Sequence, residues 1–191
     1  MVRNTKLNTT AKPSAKRSSL AKAATNVRIR ETPNDVWLTP KGLAKKAIDM
    51  IDHREGEKWF DPFRATGIYY SQFPTRKKSW CEIEDGKDFF DFKKNFKGTG
   101  VICSNPPYSL LNEVISHSIE LNPRVISFLI GVNNFTLKRQ QMFEDAGYVL
   151  RKMHWCQIRG WFGLSIIVQF ERRARSRKSD VTFTRKIYHA D

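Results

Sequence analysis

Four consecutive residues of this chain combine side-chain types that together could grip an amine: Asn105, Pro106, Pro107 and Tyr108. Prolines have a fixed φ and no N–H group, so their carbonyl oxygens are open to hydrogen-bond donors from elsewhere. The asparagine adds a side-chain carbonyl oxygen, and the tyrosine adds a flat ring. Two acceptors and one stacking face suit a planar base that carries an exocyclic amino group.

The flanking sequence predicts that this tetrad lies at the end of a strand. Residues 101–103 form a short apolar run typical of a buried strand, and the spacing of apolar residues predicts an amphipathic helix from Leu110 onward. A polar turn with two prolines joins them. In open α/β sheets, ligands bind at the carboxyl ends of the strands. A proline-stiffened turn with no chemical role is the alternative interpretation.

The tetrad resembles the Asn-Pro-Pro-Tyr signature of the S-adenosylmethionine-dependent amino-methyltransferases, above all those that methylate the exocyclic amine of adenine. The resemblance spans residues 35–170. It implies an α/β fold of the Rossmann-like class I methyltransferase type, with a mostly parallel seven-stranded sheet that closes in an antiparallel hairpin. It also implies that S-adenosyl-L-methionine is the cofactor. The residues that it marks as catalytic are Asn105, Pro106, Pro107 and Tyr108.

Further segments match the cofactor-binding pattern of that family, in the same order along the chain. Residues 61–67 resemble its loop Asp-Pro-Phe-x-Gly-x-Gly, except that Ala65 replaces the first glycine. Such a turn favours glycine, because the backbone approaches the ligand closely and can need a positive φ. The residues that the resemblance marks as cofactor-binding are Thr39, Pro40, Asp61, Pro62, Phe63, Gly67, Glu82, Asp88, Phe89 and Asn105.

Particular roles follow from the same resemblance. Thr39 and Pro40 would contact the methionine end of the cofactor, Glu82 (with Glu84 as the next choice) the ribose hydroxyls, and Asp88 the adenine amine. Phe89 would pack on the adenine ring. An ordinary helix start at residues 39–40 and a solvated acidic loop with core aromatics at residues 82–92 are the alternative interpretations.

Local patterns predict the elements around these residues. Thr39 and Pro40 suit the N-cap and first position of a helix, and Thr136 suits the cap of a helix that ends near Gly147. Residues 160–163 would join two strands in a hairpin, where Trp161 and Phe162 either line the pocket or belong to the core. Strands are predicted for residues 58–61, 79–84, 124–130, 164–170 and from Tyr148 onward.

Composition bounds the class of protein. The chain has 191 residues, enough for one domain, and a net charge of +15, which attracts polyanions such as nucleic acid. Residues 1–30 predict a disordered basic tail, 31–171 the methyltransferase domain, and 172–191 a basic C-terminal tail. No apolar stretch is long enough to span a bilayer. We therefore expect an intracellular protein, cytoplasmic or, in a eukaryotic host, nuclear.

The three cysteines are Cys81, Cys103 and Cys156. They are scattered, which predicts buried thiols in a reducing compartment, and neither they nor the four histidines show a metal-ligand spacing. No metal is therefore expected.

These observations predict an adenine-specific DNA methyltransferase that uses S-adenosyl-L-methionine, with DNA preferred as partner over RNA. The alternatives are methylation of an adenine or guanine amine in RNA, a non-catalytic nucleic-acid-binding subunit that keeps the fold, and, less favoured, methylation of a protein glutamine. Little of the chain is left for a target-recognition domain, so either recognition is short and loose, or a partner subunit or the two basic tails supply it.

Overall fold

The computed structural model describes residues 37–172 and 180–189, which belong to one compact unit. The predicted N-terminal tail, residues 1–30, lies outside the described residues, as does most of the arginine cluster that follows residue 172. Within the described residues, no helix is both long and apolar enough to cross a bilayer.

Four helices and seven strands make up this unit. The helices are α1 (Lys41–Asp49), α2 (Ile68–Gln72), α3 (Leu111–Glu120) and α4 (Leu137–Asp145). The strands are β1 (Trp59–Asp61), β2 (Lys78–Trp80), β3 (Val101–Ser104), β4 (Val125–Gly131), β5 (Tyr148–Arg159), β6 (Ser165–Arg172) and β7 (Asp180–His189).

All seven strands form one sheet in the order β2-β1-β3-β4-β6-β5-β7. Strands β2, β1, β3 and β4 are parallel, β6 runs antiparallel to both β4 and β5, and β7 runs parallel to β5. The predicted mostly parallel sheet with a closing antiparallel hairpin is therefore confirmed. The carboxyl ends of β1 to β4 and the β5–β6 hairpin loop consequently lie at the same end of the sheet.

The core has two layers, one on each face of this sheet. Successive residues of β4 point to opposite faces, so Phe128 packs with α3 and α4, whereas its neighbour Leu129 packs with α1 and α2. Both are almost completely buried. Burial on both faces explains why β4 reads as a continuous apolar run in the sequence. Cys81, Cys103 and Cys156 are buried free thiols, as predicted.

Three features of the fold differ from the sequence prediction: the start of α1, the end of β2 and an additional strand. Helix α1 begins one residue later than expected: Pro40 is its N-cap, with φ −58° and ψ 135°, and Thr39 does not cap it. The proline side chain cannot accept a hydrogen bond, so none of the N–H groups in the first turn of α1 is capped by the side chain of its N-cap residue. Strand β2 stops at Trp80, and residues 83–85 form a 3-10 turn, because Glu82 turns toward the loop after β1.

The third difference is an additional strand. The sequence predicts a last strand that ends at Phe170 and a basic tail over residues 172–191, whereas Asp180–His189 forms β7 at the sheet edge beside β5. An edge strand with charged residues among its apolar ones gives only a weak apolar pattern, which is why it reads as a tail.

At the amino end of the parallel strands, a buried ion-pair network surrounds Arg124. Its Nη1 donates to Glu171 Oε1 at 2.7 Å, and its Nη2 donates to Glu57 Oε2 at 3.0 Å and to the Asp52 carbonyl oxygen at 2.9 Å. Its Nε also donates to Glu57 Oε1. Arg124, Glu57 and Glu171 are all more than nine-tenths buried. The network joins the starts of β1 and β4 to the end of β6.

Candidate active site

The tetrad lies where the sequence placed it, directly after β3. Pro107 is extended, with φ −63° and ψ 127°, and residues 108–110 form a 3-10 turn that leads into α3. The Pro107 carbonyl oxygen accepts the Leu110 N–H at 3.3 Å. Of the two proline carbonyls considered for an amine, the one at Pro107 therefore already has a partner.

The side-chain amide of Asn105 has one atom with a hydrogen-bond partner, Nδ2, and one without, Oδ1. Its Nδ2 donates to the Trp37 carbonyl oxygen at 2.9 Å. Because that carbonyl can only accept, the amino group must face it, and the Oδ1 atom must face the other way. The Oδ1 atom is buried and accepts no hydrogen bond from any residue that the structure describes. A buried carbonyl oxygen without a donor is costly, and it is the atom that a ligand N–H would satisfy.

A cavity of about 160 Å³ opens beside the tetrad. Tyr108 forms part of its wall, with Gly131–Asn134 after β4 and Trp161–Ser165 of the hairpin loop. Trp37 and Trp161 meet there with ring centroids 5.4 Å apart, and Phe162 at the loop tip is 91% exposed. Gly131 lies next to the Tyr108 ring: a Cβ atom on it would meet that ring at 3.7 Å, an ordinary van der Waals distance. Four aromatic residues therefore contribute to the cavity wall: Trp37, Tyr108, Trp161 and Phe162.

Asp61 connects the tetrad to the loop after β1. It is the last residue of β1, it is fully buried, and its Oδ1 accepts from Ser104 Oγ at 2.6 Å and from the Phe63 N–H at 3.4 Å. Its Oδ2 is buried and makes no hydrogen bond of normal geometry. Burial raises the pKa of Asp61 from its ordinary value to about 7, although the Ser104 hydroxyl opposes that shift.

The loop after β1 has a left-handed backbone at Ala65, the position where a glycine stands in the pattern that this loop resembles. Ala65 has φ 42° and Gly67 has φ 82°, so both adopt the left-handed region. The Ala65 N–H donates to Glu82 Oε2 at 2.6 Å, and the Arg64 N–H donates to the Cys81 carbonyl oxygen at 3.0 Å. Alanine thus takes the conformation expected of glycine, at a cost of about 1 kcal/mol, and Glu82 helps to hold it.

The other residues that the resemblance marks as cofactor-binding are buried or half-buried near the loop, or belong to the segment after β2. Pro40 and Pro62 are buried, while Thr39 and Phe63 are half-buried near the same end of the sheet. Asp88 accepts the Phe90 N–H at 2.9 Å and so caps a 3-10 turn.

Phe89 is a core residue: it is 3% exposed and contacts the Phe63 and His117 rings at centroid distances of 5.2 and 4.8 Å. The expectation that Phe89 packs on an adenine ring remains a prediction, and its contacts in the structure are with protein.

Three participants were missed by sequence reasoning. Trp37 supplies the carbonyl that orients Asn105, Ser104 links the tetrad to Asp61, and Asn134 contributes to the cavity wall. Trp37 lies 68 residues from Asn105 in the sequence, so no local pattern could pair them. Among the described residues, no group of three or more histidines, cysteines or carboxylates is arranged to hold a metal ion.

No protein-family model matches this sequence, and no curated protein matches it. Solved structures match it by fold. The crystal structure of the 23S rRNA methyltransferase ErmE matches with a TM-score of 0.51 at 12% identity, over 75% of this chain and 72% of that one.

Two type I restriction-enzyme components also match. The M protein of EcoKI has a TM-score of 0.51 at 11% identity, over 88% of this chain and 53% of that chain. A modification subunit of a putative type I enzyme from Vibrio vulnificus YJ016 has a TM-score of 0.50 at 11% identity, over 89% and 51%. The chain thus spans about half the length of each of these two proteins.

At these identities the comparisons define the fold. The protein has the α/β fold of the class I methyltransferases, with the seven-stranded mixed sheet and antiparallel hairpin described above.

Proposed function

We propose that this protein is a methyltransferase that uses S-adenosyl-L-methionine to methylate the exocyclic amine of adenine in DNA. The observation that carries the proposal is the open, buried Oδ1 atom of Asn105, in a tetrad whose Tyr108 lines a cavity. The fold it shares with an rRNA methyltransferase and with type I restriction-modification subunits supports the same class of chemistry. A net charge of +15 favours a polyanionic substrate.

The residues around the loop after β1 fit the cofactor. S-adenosyl-L-methionine, when bound, supplies a methyl group activated by a sulfonium centre. Glu82 lies at the end of β2, where acids commonly accept hydrogen bonds from ribose hydroxyls. Glu82 uses Oε2 for the Ala65 N–H, and a carboxylate has acceptor sites on both oxygens. The segment 82–91 contains five acids and one lysine, which suits a ligand that carries a cationic centre.

The tetrad would position the target amine. An exocyclic aromatic amine is a weak nucleophile, because its lone pair is delocalised into the ring. Asn105 Oδ1 and the Pro106 carbonyl oxygen would accept its two N–H bonds, which favours a pyramidal nitrogen with a directed lone pair. Catalysis would then consist of positioning and electrostatics, without a strong general base.

The aromatic cavity would hold the rest of the base. Tyr108 would stack on one face of the ring, and Trp161 and Phe162 of the hairpin loop would form the facing wall. A base in duplex DNA is reachable only after it has left the stack, and aromatic walls offset part of the cost of unstacking.

The test is transfer of a labelled methyl group to a panel of duplex DNA, single-stranded DNA, RNA and protein. We expect labelled N6-methyladenine in DNA. Asn105→Ala should lower the rate by roughly 10²–10³-fold, the loss typical of one preorganised polar contact. Asn95→Ala is the matched control, since Asn95 is exposed and lies outside the cavity.

The other outcomes separate the alternatives. Transfer to RNA alone, or to protein alone, would replace DNA as the substrate. Cofactor binding by calorimetry without any transfer would favour a non-catalytic subunit. An Asn105→Ala variant that transfers at the wild-type rate would contradict the role given to the tetrad.

A further inference from the structure

The rim of the site is divided by charge. On the side of β2, segment 82–91 contains five acids and one lysine. On the cavity side, segments 131–142 and 157–165 contain Lys138, Arg139 and Arg159 and no acid. The sheet order puts the tetrad, after β3, between the acidic side and the basic side. A phosphodiester strand would therefore be repelled from one side and attracted to the other.

Arg139 is the most constrained of these three cations. Its Nε donates to Asn112 Oδ1 at 2.8 Å, and its Nη1 donates to the Asn134 carbonyl oxygen at 2.7 Å and to Asn134 Oδ1 at 3.2 Å. All of these acceptors are neutral. Among the described residues no carboxylate forms an ion pair with it, and the charge of Glu113 on α3 acts on it through space. Its guanidinium is thus held in place by neutral acceptors, without a carboxylate in contact.

The placement of these charges is unfavourable for the helix that carries them. Lys138 and Arg139 lie in the first turn of α4, which contains no acid. The helix dipole disfavours cations there. Lys138 and Arg159 are exposed and form no ion pair with residues 37–172 or 180–189. These three cations therefore lie on segments that adjoin the cavity without an ion pair to any described residue.

The contacts of Arg139 connect it directly to the cavity. Asn134, which it binds twice, lines the cavity and lies 3.4 Å from the Cβ position of Gly131, next to Tyr108. A phosphate held by Arg139 would therefore lie close to a base held by Tyr108. Arginine suits this role, because its planar fork can keep two donors on the protein and offer the others to phosphate oxygens.

We propose that Arg139, with Lys138 and Arg159, is the phosphate-binding rim that seats the substrate strand beside the cavity. This rests on the proposed function for the identity of the base, but the binding itself is measurable without methyl transfer. The polyanion is DNA, and the rim contacts the phosphates that flank the extruded nucleotide.

The test measures how the affinity for a labelled duplex oligonucleotide depends on salt. Each phosphate contact contributes about 0.9 to the slope of log K against log salt. We expect Arg139→Gln to reduce the slope by about that amount, with Arg139→Lys retaining most of it because the charge remains. Lys138→Gln and Arg159→Gln should each reduce the slope by a similar amount.

The matched control is Arg76→Gln, which removes one exposed positive charge before β2, at the opposite end of the sheet. Its slope should equal that of the wild type. If Arg139 only braces the loop, Gln and Lys variants will weaken binding equally and leave the slope unchanged, and the inference is overturned. Equal slope losses for Arg76 and the rim variants would likewise overturn it, because they would reflect net charge alone.

The two proposals fail in different ways. A normal rate dependence on Asn105 with unchanged slopes in all rim variants rejects the rim and keeps the methyltransferase. Reduced slopes in a protein that transfers no methyl group to DNA reject the methyltransferase and keep the rim.

Discussion

Two groups of buried polar residues, at opposite ends of the central sheet, differ in whether their polar atoms have hydrogen-bond partners. At the amino end, Arg124 is surrounded by Glu57, Glu171 and a carbonyl oxygen, and each of its nitrogens has a partner. At the carboxyl end, Asn105 Oδ1 and Asp61 Oδ2 are equally buried and have none. The two ends lie in one sheet and share the same strands.

This difference distinguishes buried charges that stabilise one another from buried oxygens that have room to accept a hydrogen bond from a ligand. A paired buried charge costs little once its partners are present, whereas an open buried oxygen costs free energy in every molecule that carries it. At the carboxyl end, that cost falls on two oxygens in and beside the tetrad, where α/β folds bind ligands. Removal of a paired group at the amino end should therefore destabilise the protein, whereas removal of an open oxygen at the carboxyl end should leave it as stable or make it more stable.

The largest effect is expected for Arg124→Met. Removal of the guanidinium leaves Glu57 and Glu171 buried without compensation, so the free energy of unfolding should fall by about 3–5 kcal/mol. Urea denaturation measures it. Arg54→Met is the matched control, since Arg54 is mostly exposed and reaches Glu171 at 3.4 Å; it should cost less than about 1 kcal/mol. Similar costs for both variants would mean that the network does not act as a buried unit.

Asp61→Asn should remove a pH dependence of stability. The pKa of Asp61 is about 7 in the folded protein against 3.8 ordinarily. Between these values the unfolded chain releases a proton that the folded protein keeps, so stability is lost as the pH rises from about 4 to 7. The variant lacks this loss, and its stability relative to wild type should rise over that window by up to about 4 kcal/mol.

Urea denaturation at a series of pH values measures this trend. The control is Asp49→Asn, which removes an exposed carboxylate paired with Lys45. A flat difference between wild type and Asp61→Asn across the window would show that the buried carboxylate is not destabilising.

Ala65→Gly should release the strain at φ 42°. We expect the free energy of unfolding to rise by up to about 1 kcal/mol, less the entropy that glycine adds to the unfolded chain. Calorimetry should show tighter cofactor binding, if the methyl group also restricts the approach of the ligand. Gly67→Ala, at φ 82°, is the converse variant and should destabilise. Destabilisation by Ala65→Gly would contradict the idea that alanine is strained here.

The smallest change in stability is expected for Asn105→Ala. It loses one hydrogen bond to the Trp37 carbonyl oxygen and also removes an unpaired oxygen, so the two effects nearly cancel within about 1 kcal/mol. Together with the expected loss of methyl transfer, this result would sharpen the division between the two ends. A loss of stability as large as that of Arg124→Met would abolish the division.

The sequence predicted the parts of the fold that depend on local pattern. The apolar runs of β3, β4 and β6 predicted the centre of the sheet, and residues 105–108 predicted the turn at the carboxyl end of β3. The caps were less predictable: Thr136 caps α4 as expected, with its Oγ1 accepting the Arg139 N–H at 3.4 Å, whereas Thr39 does not cap α1.

What local pattern cannot give is partnership over long distances. The contacts Asn105–Trp37, Ser104–Asp61 and Arg124–Glu57 join residues separated by 68, 43 and 67 positions. The same limit applies to Glu82, which leaves the predicted strand because the Ala65 N–H needs an acceptor. These pairings arise only when the sheet is assembled.

Strand β7 has a consequence for how the cavity meets its substrate. It pairs with β5 up to Arg159, immediately before the hairpin loop, so β5 has a neighbour on each side. The loop that carries Trp161 and Phe162 therefore rises from an inner strand, not from the free margin of the sheet. A strand that is paired on both sides restrains the start of this loop, so a ligand that binds against the loop would spend little binding energy on ordering it.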